Sequence, residues 1–395
     1  MRILYRYILM EMLKALALAV AAVSGVVCFA LVLSALQQHG MGPASSLLYM
    51  VLSWPGAVHL ALPLASVLAA TLVYGRLAAD NELMACRASG IPLSSLFWPT
   101  ILLALVAAAA HLGLASWPMP ESSYAAKCLA RADIERFFFT RLQTTGTIRL
   151  KETNFQITVD RVVGDMLYGP TLKYRDSKNG QTYCYAPYGR VEFDSKNNRA
   201  KLALWEALIV DETHASPIRA THVVSVEVPS YTPRSEDDLT LWYLLAVQHN
   251  PALSDRVRTL GEGASPQTVQ RMKESARARA LSELHGRLAA ALGCFGLVLL
   301  GAGLGVYFHS GHLLTAFGVA LAPWLGSTVL TMAGMKWVAR TPASPDSIVW
   351  AIWAPNVLVT AASLLFLGYL IWIWSSPLRW RVLTAIRPVG GGRRG

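Results

Sequence analysis

The sequence predicts a membrane α-helical bundle of six transmembrane helices with an inserted all-β domain, jelly-roll-like in character. Three observations carry that reading. Every Asp and Glu except Glu11, Asp80, Glu82 and Asp346 lies between Glu121 and Glu283, which leaves the flanking thirds with long carboxylate-free runs. A carboxylate in hydrocarbon is costly, and a helix needs about 20 apolar residues to cross a bilayer. The chain is 54% hydrophobic and only 15% charged, too apolar for an ordinary soluble domain. Its polar middle switches to an alternation of period two, which marks half-buried strands.

The uncharged stretches run Ala15 to Leu36, Pro43 to Gly75, Ala88 to Pro120, Leu288 to Met335 and Ser347 to Leu378. The fourth is long enough for two crossings and is broken by the polar turn Tyr307 to His312 (YFHSGH), so six spans are expected. Arg2, Arg6 and Lys14 ahead of the first stretch resemble a signal peptide. The apolar run is too long for one and no small-residue cleavage site follows it, so a retained helix is expected.

Orientation follows from the short loops. The N-terminal tail, Arg76 to Arg87, Tyr307 to His312 and the C-terminal tail share one side and together hold ten Lys and Arg against three acids. The positive-inside rule makes that side cytoplasmic and puts the middle domain outside. Arg271, Lys273, Arg277, Arg279 and Arg287 precede span four on the outer side, against the rule. Long translocated domains largely escape it, so the parity of three preceding spans decides. The net charge of +11 would point to nucleic acid in a soluble protein. Here Lys and Arg gather at the ends of apolar runs, so anionic lipid is the expected partner and nucleic acid is not.

Within residues 146 to 228, Phe155, Ile157 and Val159 alternate with polar neighbours, as do Val191 and Phe193, Leu202 and Leu204, and Val224, Val226 and Val228. The runs Asp176 to Gly180 (DSKNG) and Asp194 to Asn198 (DSKNN) read as turns between such strands. After Pro229 the texture becomes helical, and Ser265 followed by Pro266 makes an N-cap and first-turn pair for a helix running on into span four. The expected organisation is residues 1–120 for spans one to three, 121–264 for the β domain with a helical extension, 265–378 for spans four to six, and 379–395 for a disordered cytoplasmic tail.

Chemistry is argued partly by exclusion. No GxxxxGK[ST] occurs, so the chain has no phosphate-cradling loop for ATP. No uncharged run holds the acid that an ion-coupled carrier needs near the midplane. No nucleophile elbow or zincin spacing appears, and no catalytic residue, cofactor or metal is assigned. Five scattered cysteines lack CxxC spacing; Cys128 and Cys184 share the middle domain and either bond or remain two thiols. His59 and His111, inside apolar runs, are expected to pack with hydrogen bonds, and His309 and His312 to sit in a polar turn. Gly301, Gly303, Gly305 and Gly318 with Ala322 permit close helix approach or a flexible gate.

The segment Gly75 to Gly90 (GRLAADNELMACRASG) places Arg76, Leu77, Glu82, Arg87, Ala88 and Gly90 between spans two and three; Glu283 to Leu288 (ELHGRL) opens the fourth stretch, and Tyr5 with Arg6 precedes span one. With three spans, a β-rich external domain and three more spans, the chain resembles the LptF/LptG permease family over nearly its whole length. That resemblance implies a membrane subunit of the lipopolysaccharide exporter, in the bacterial inner membrane with both termini cytoplasmic and the β domain periplasmic. It implies a coupling helix near 76–90, with Arg76, Asp80, Glu82, Arg87 and Gly90 contacting a cytoplasmic LptB-like ATPase dimer, and a lateral gate formed by Ala15 to Leu36 and about Leu313 to Met335. Further implied partners are a second permease subunit, identical or paralogous, periplasmic LptC/LptA-like bridge proteins, and lipopolysaccharide or a similar glycolipid.

Read from residues alone, the same segment also fits a solvated cytoplasmic loop. Arg277, Arg279, Arg287, Lys336 and Arg340 are candidates to pair with substrate phosphates, and general attraction to anionic headgroups is the competing account. The alternative for the whole chain is a non-transporting scaffold or sensor whose β domain binds a partner and whose helices only anchor it.

Overall fold

The computed structural model describes residues 2–39, 43–132, 142–143, 145–150, 155–176, 180–194, 199–210, 215–217, 222–227, 234–260, 265–308, 313–342 and 344–375. The chain divides into two compact units, one made of residues 1–29, 53–124 and 234–395, the other of residues 30–52 and 125–233. His309, His312, the turn residues 177–179 and 195–198, and the tail from 376 onward lie outside the described residues.

Among the described residues, six helices are long and apolar enough to cross a membrane. Span one is Arg2–His39 and span two Pro43–Ala79. Span three is built from Leu93–Leu96, Trp98–Ser116 and Pro118–Ala132. Span four is Pro266–Tyr307, span five Leu313–Arg340 and span six Trp350–Trp374. Span four runs on from the expected cap: the Ser265 hydroxyl accepts the Thr268 N–H at 3.3 Å. Its 42 residues rise about 63 Å, roughly twice a hydrocarbon core.

Span four is the hub of the helical unit. Cys294, Val298, Leu299, Ala302 and Val306 share a core with Tyr74 and Leu77 of span two, Leu103 and Ala104 of span three, and Leu367 and Leu370 of span six. Small residues set the spacing. A Cβ on Gly301 would come within 2.7 Å of the Val67 carbonyl oxygen, and one on Gly305 within 2.8 Å of the Thr71 carbonyl oxygen, so one face of span four lies directly on span two. Gly303, on the other face, takes the ring of Phe366. Gly318 of span five meets nothing.

Among its described residues the second unit holds two antiparallel sheets, in strand orders β1-β2-β5-β6-β9-β10 and β11-β8-β7-β4-β3, where β1 is Thr147–Leu150, β2 Phe155–Thr158 and β11 His222–Glu227. Chain order alternates between them by hairpins: β3 (Arg161–Val163) with β4 (Met166–Tyr168), β5 (Thr171–Asp176) with β6 (Gly180–Tyr185), β7 (Tyr188–Asp194) with β8 (Arg199–Trp205), and β9 (Leu208–Val210) with β10 (Ala215–Pro217). The two expected turns thus join paired strands, Asp176 opposite Gly180 and Asp194 opposite Arg199. Ile157 on β2 (Phe155–Thr158), Leu172 and Cys184 from the first sheet bury against Leu167, Val191, Leu202 and Leu204 from the second, as alternation requires. Between β3 and β4, Gly164 at φ +62° supplies the positive φ of a two-residue hairpin turn. Cys128 is exposed and Cys184 buried, each a free thiol.

Candidate functional site

The segment joining spans two and three is an elbow with a fixed shape. Span two ends at Ala79, Asn81 takes a left-handed conformation at φ 59°, and the helix Glu82–Ala88 follows. That helix is closed by a pair of reversed hydrogen bonds, from the Gly90 N–H to the Arg87 carbonyl (2.9 Å) and from the Ile91 N–H to the Cys86 carbonyl (3.0 Å). Gly90, at φ +77°, is the left-handed residue this helix ending needs. Leu83 is buried, and Cys86 and Ile91 pack on the same core.

Two basic residues hold the elbow to its neighbours. Arg76 bonds Glu11 of span one at 2.9 Å, and Glu11 also pairs with Lys14 at 3.2 Å. Arg87 lies over the ring of Trp374, at the end of span six, with its guanidinium carbon 5.2 Å from the centroid. What remains outward is Asp80, Asn81, Met84, Ala85, Ala88, Ser89 and Gly90, with Met84 41% exposed. The outward surface is thus short, made of small residues around Met84 and edged by one carboxylate, and Arg76 and Arg87 tie its base to spans one and six.

The five basic residues expected to pair with substrate phosphates fall into three groups. Lys336 and Arg340 are exposed, one helical turn apart on span five, and have no ion-pair partner among the described residues. Arg277 pairs with Asp346 at 3.1 Å, and Arg279 with the buried Glu236 at 3.8 Å. Arg287 is only 6% exposed. It donates to the main-chain carbonyls of Ala115 (3.0 Å), Leu239 (2.7 Å) and Asp237 (2.9 Å), and its Nε lies 3.6 Å from Glu283. Its guanidinium therefore knots span four to Ala115 within span three and to residues 237–239.

Beside that knot lies a cavity of 270 Å³ lined by His59, His111, Glu283, Arg287, Thr331 and Asn356 among apolar residues. The His59 and His111 rings stand 4.1 Å apart, and neither Nδ1 has a hydrogen-bond partner among the described residues. The two histidines thus pack against each other, with both Nδ1 atoms unpaired among the described residues. Asn356 donates to Thr331 at 2.9 Å, and a Cβ on Gly293 would collide with the Asn356 side chain. Asn356 was missed by the sequence reading. Its signal was present, since a lone amide in the uncharged run Ser347 to Leu378 requires an interhelical partner. Trp374 and Glu11 were also missed as partners of Arg87 and Arg76. No group of three or more metal-ligating side chains occurs among the described residues.

Residues 6–370 match the family model described as lipopolysaccharide export system permease LptF/LptG. A comparison with curated proteins finds no significant match.

Proposed function

The chain belongs to the LptF/LptG permease family of the lipopolysaccharide export system, and from that premise we propose that it couples ATP hydrolysis in a separate cytoplasmic subunit to extraction of lipopolysaccharide or a related glycolipid from the inner membrane. Membership makes it a transporter membrane subunit and not a classical enzyme. The observation that carries the coupling is the elbow: anchored on its inner side by Leu83, Arg76 and Arg87, it leaves Asp80, Met84 and Ala85 outward on a rigid base. A push on that surface would pass to spans one, two and six, because Arg76 and Arg87 tie it to Glu11 and Trp374. An apolar helix face edged by charge suits a groove on an LptB-like ATPase, with Glu82 and Asp80 setting the register.

Six spans form half of a cavity, so a second permease subunit, identical or paralogous, completes it. In this reading both termini and the elbow are cytoplasmic, and the paired sheets are a jelly-roll-like periplasmic domain. That domain hands the lipid to LptC/LptA-like bridge proteins, an exposed sheet edge providing the pairing groups. The phosphorylated head of the substrate meets the basic rim beside spans four and five. There Arg277 and Arg279 would exchange Asp346 and Glu236 for phosphate, Lys336 extends the rim, and Arg287 holds the corner behind them. Acyl chains are sorted by burial, at about 0.8 kcal/mol per methylene.

The test is co-purification. Tagged wild-type chain should bring down an ATPase subunit whose hydrolysis responds to lipopolysaccharide. Met84→Arg, a change at an exposed position, and Glu82→Ala should weaken that association while leaving the chain folded. If no ATPase is captured, or if both variants hydrolyse and transport as the wild type does, the chain is a scaffold.

A further inference from the structure

A groove of 700 Å³ opens between spans five and six, with Leu300 of span four among its lining residues. From it we infer a binding site for one acyl chain of an anionic phospholipid, with the lipid phosphate held by Arg340 at the groove's mouth. The inference rests on the membrane reading of the helices, and not on the identity of the exported substrate.

The volume lies within the range of about 300–1,000 Å³ found for small-ligand sites. The lining is almost wholly apolar. Its one hydroxyl, on Ser327, is already spent on the Trp324 carbonyl at 3.1 Å, so the groove asks for hydrocarbon and for nothing polar. Its depth comes from small residues: a Cβ on Gly326 would meet no atom within 4 Å, and Ala333, Ala351 and Ala354 stand along the same walls. Pro323 and Trp337 both line the groove, and their separation along the helix is about 21 Å. One leaflet's hydrocarbon is about 15 Å deep, so the groove takes a chain from headgroup to midplane.

The mouth identifies the head. Trp337 and Trp350 meet edge to face with ring centroids 6.3 Å apart, and paired Trp residues at the ends of spans mark the level of the headgroups. Pro323, Gly326, Leu330, Ala333 and Trp337 recur every three or four residues, and Arg340 is the next member of that stripe, directly beyond Trp337. Arg340 is exposed, without an ion-pair partner among the described residues. A cation directly beyond an apolar groove complements an amphiphile with a phosphate head. Leu325, Val329, Met332 and Lys336 form a separate exposed stripe on span five, rotated by one residue from the groove.

The experiment uses the full chain in detergent with phosphatidylglycerol or phosphatidylcholine added and lipopolysaccharide absent, and native mass spectrometry reads the retained lipid. Wild type should keep phosphatidylglycerol in preference. Gly326→Leu should reduce retention by about tenfold, the equivalent of two methylenes losing their burial. Gly318→Leu, whose Cβ also meets nothing within 4 Å and which lies outside the groove, should retain it. Arg340→Gln should abolish the preference. A photoactivatable phosphatidylglycerol acyl chain, applied to wild type, should label residues 323–337 and 350–362. Equal retention in Gly326→Leu and wild type, preference for phosphatidylcholine, or labelling elsewhere overturns the site. None of these results touches the ATPase coupling, which co-purification tests separately.

Discussion

Arg287 donates to the main-chain carbonyl of Leu239 at 2.7 Å, joining the middle of span four to the residues that follow the β unit in sequence. The same guanidinium takes the carbonyls of Ala115 and Asp237, with Glu283 beside it. Removing one partner of a buried charge pair costs about 3–5 kcal/mol, because the remaining charge and acceptors stay desolvated. Arg287→Met should therefore destabilise the helical unit by an amount in that range. Arg287→Lys should recover only part, since a single ammonium cannot reproduce the planar fork. Thermal unfolding in detergent measures both, and a wild-type midpoint for Arg287→Met would remove the knot from the account of stability.

Gly90 should act through conformation, not contact. A Cβ there would meet no atom within 4 Å, yet φ is +77°, and a left-handed residue other than Gly costs about 1–2 kcal/mol. Gly90→Ala should loosen the closure of the helix Glu82–Ala88, seen as faster amide exchange at Gly90 and Ile91, whose N–H groups make the closing bonds. Gly90→Asn should lose less, because Asn tolerates this region best after Gly. Unchanged exchange together with a loss of ATPase binding would instead make Gly90 a contact residue.

What could be read from the sequence was whatever is local or periodic. The distribution of carboxylates located the spans, Ser265 and Pro266 announced the start of span four, and the alternation Leu202, Leu204 marked a buried strand face. The partners could not be read. Arg287 binds main-chain carbonyls, which carry no residue signature, and Arg76 meets Glu11 across 65 positions. Arg87 finds Trp374 only once spans two and six are brought together. The strands β3 and β4 have three residues each, too few for alternation to rise above chance, so the turn at Gly164 went unread.

Cysteine reactivity should separate the two thiols of the β unit. Burial pushes the Cys184 thiol above its ordinary pKa, so at any given pH less of it is the reactive thiolate. Its side chain is also fully enclosed, whereas Cys128 is exposed. Alkylation of the native protein at mildly alkaline pH should modify Cys128 quickly and Cys184 only after denaturant is added. Mass spectrometry without reductant should find no bond between them; a linked peptide pair would contradict the arrangement of free thiols.

The glycines of spans four and five differ in what they do, and substitution should separate them. At Gly301 the nearest atom to a new Cβ is the Val67 carbonyl oxygen at 2.7 Å, a main-chain atom inside span two that cannot move aside as a flexible side chain would. Gly301→Ala should push the two helices apart and open gaps in the core formed by Val298, Ala302 and Tyr74, at a cost of about 1–3 kcal/mol for overpacking. At Gly318 nothing lies within 4 Å, so Gly318→Ala meets no obstacle and gains about 0.5–1 kcal/mol from the helix preference of Ala over Gly. Parallel unfolding curves in one detergent would put the two variants on opposite sides of wild type. If Gly301→Ala is instead neutral, spans two and four are not in the close contact that Gly301 and Gly305 permit.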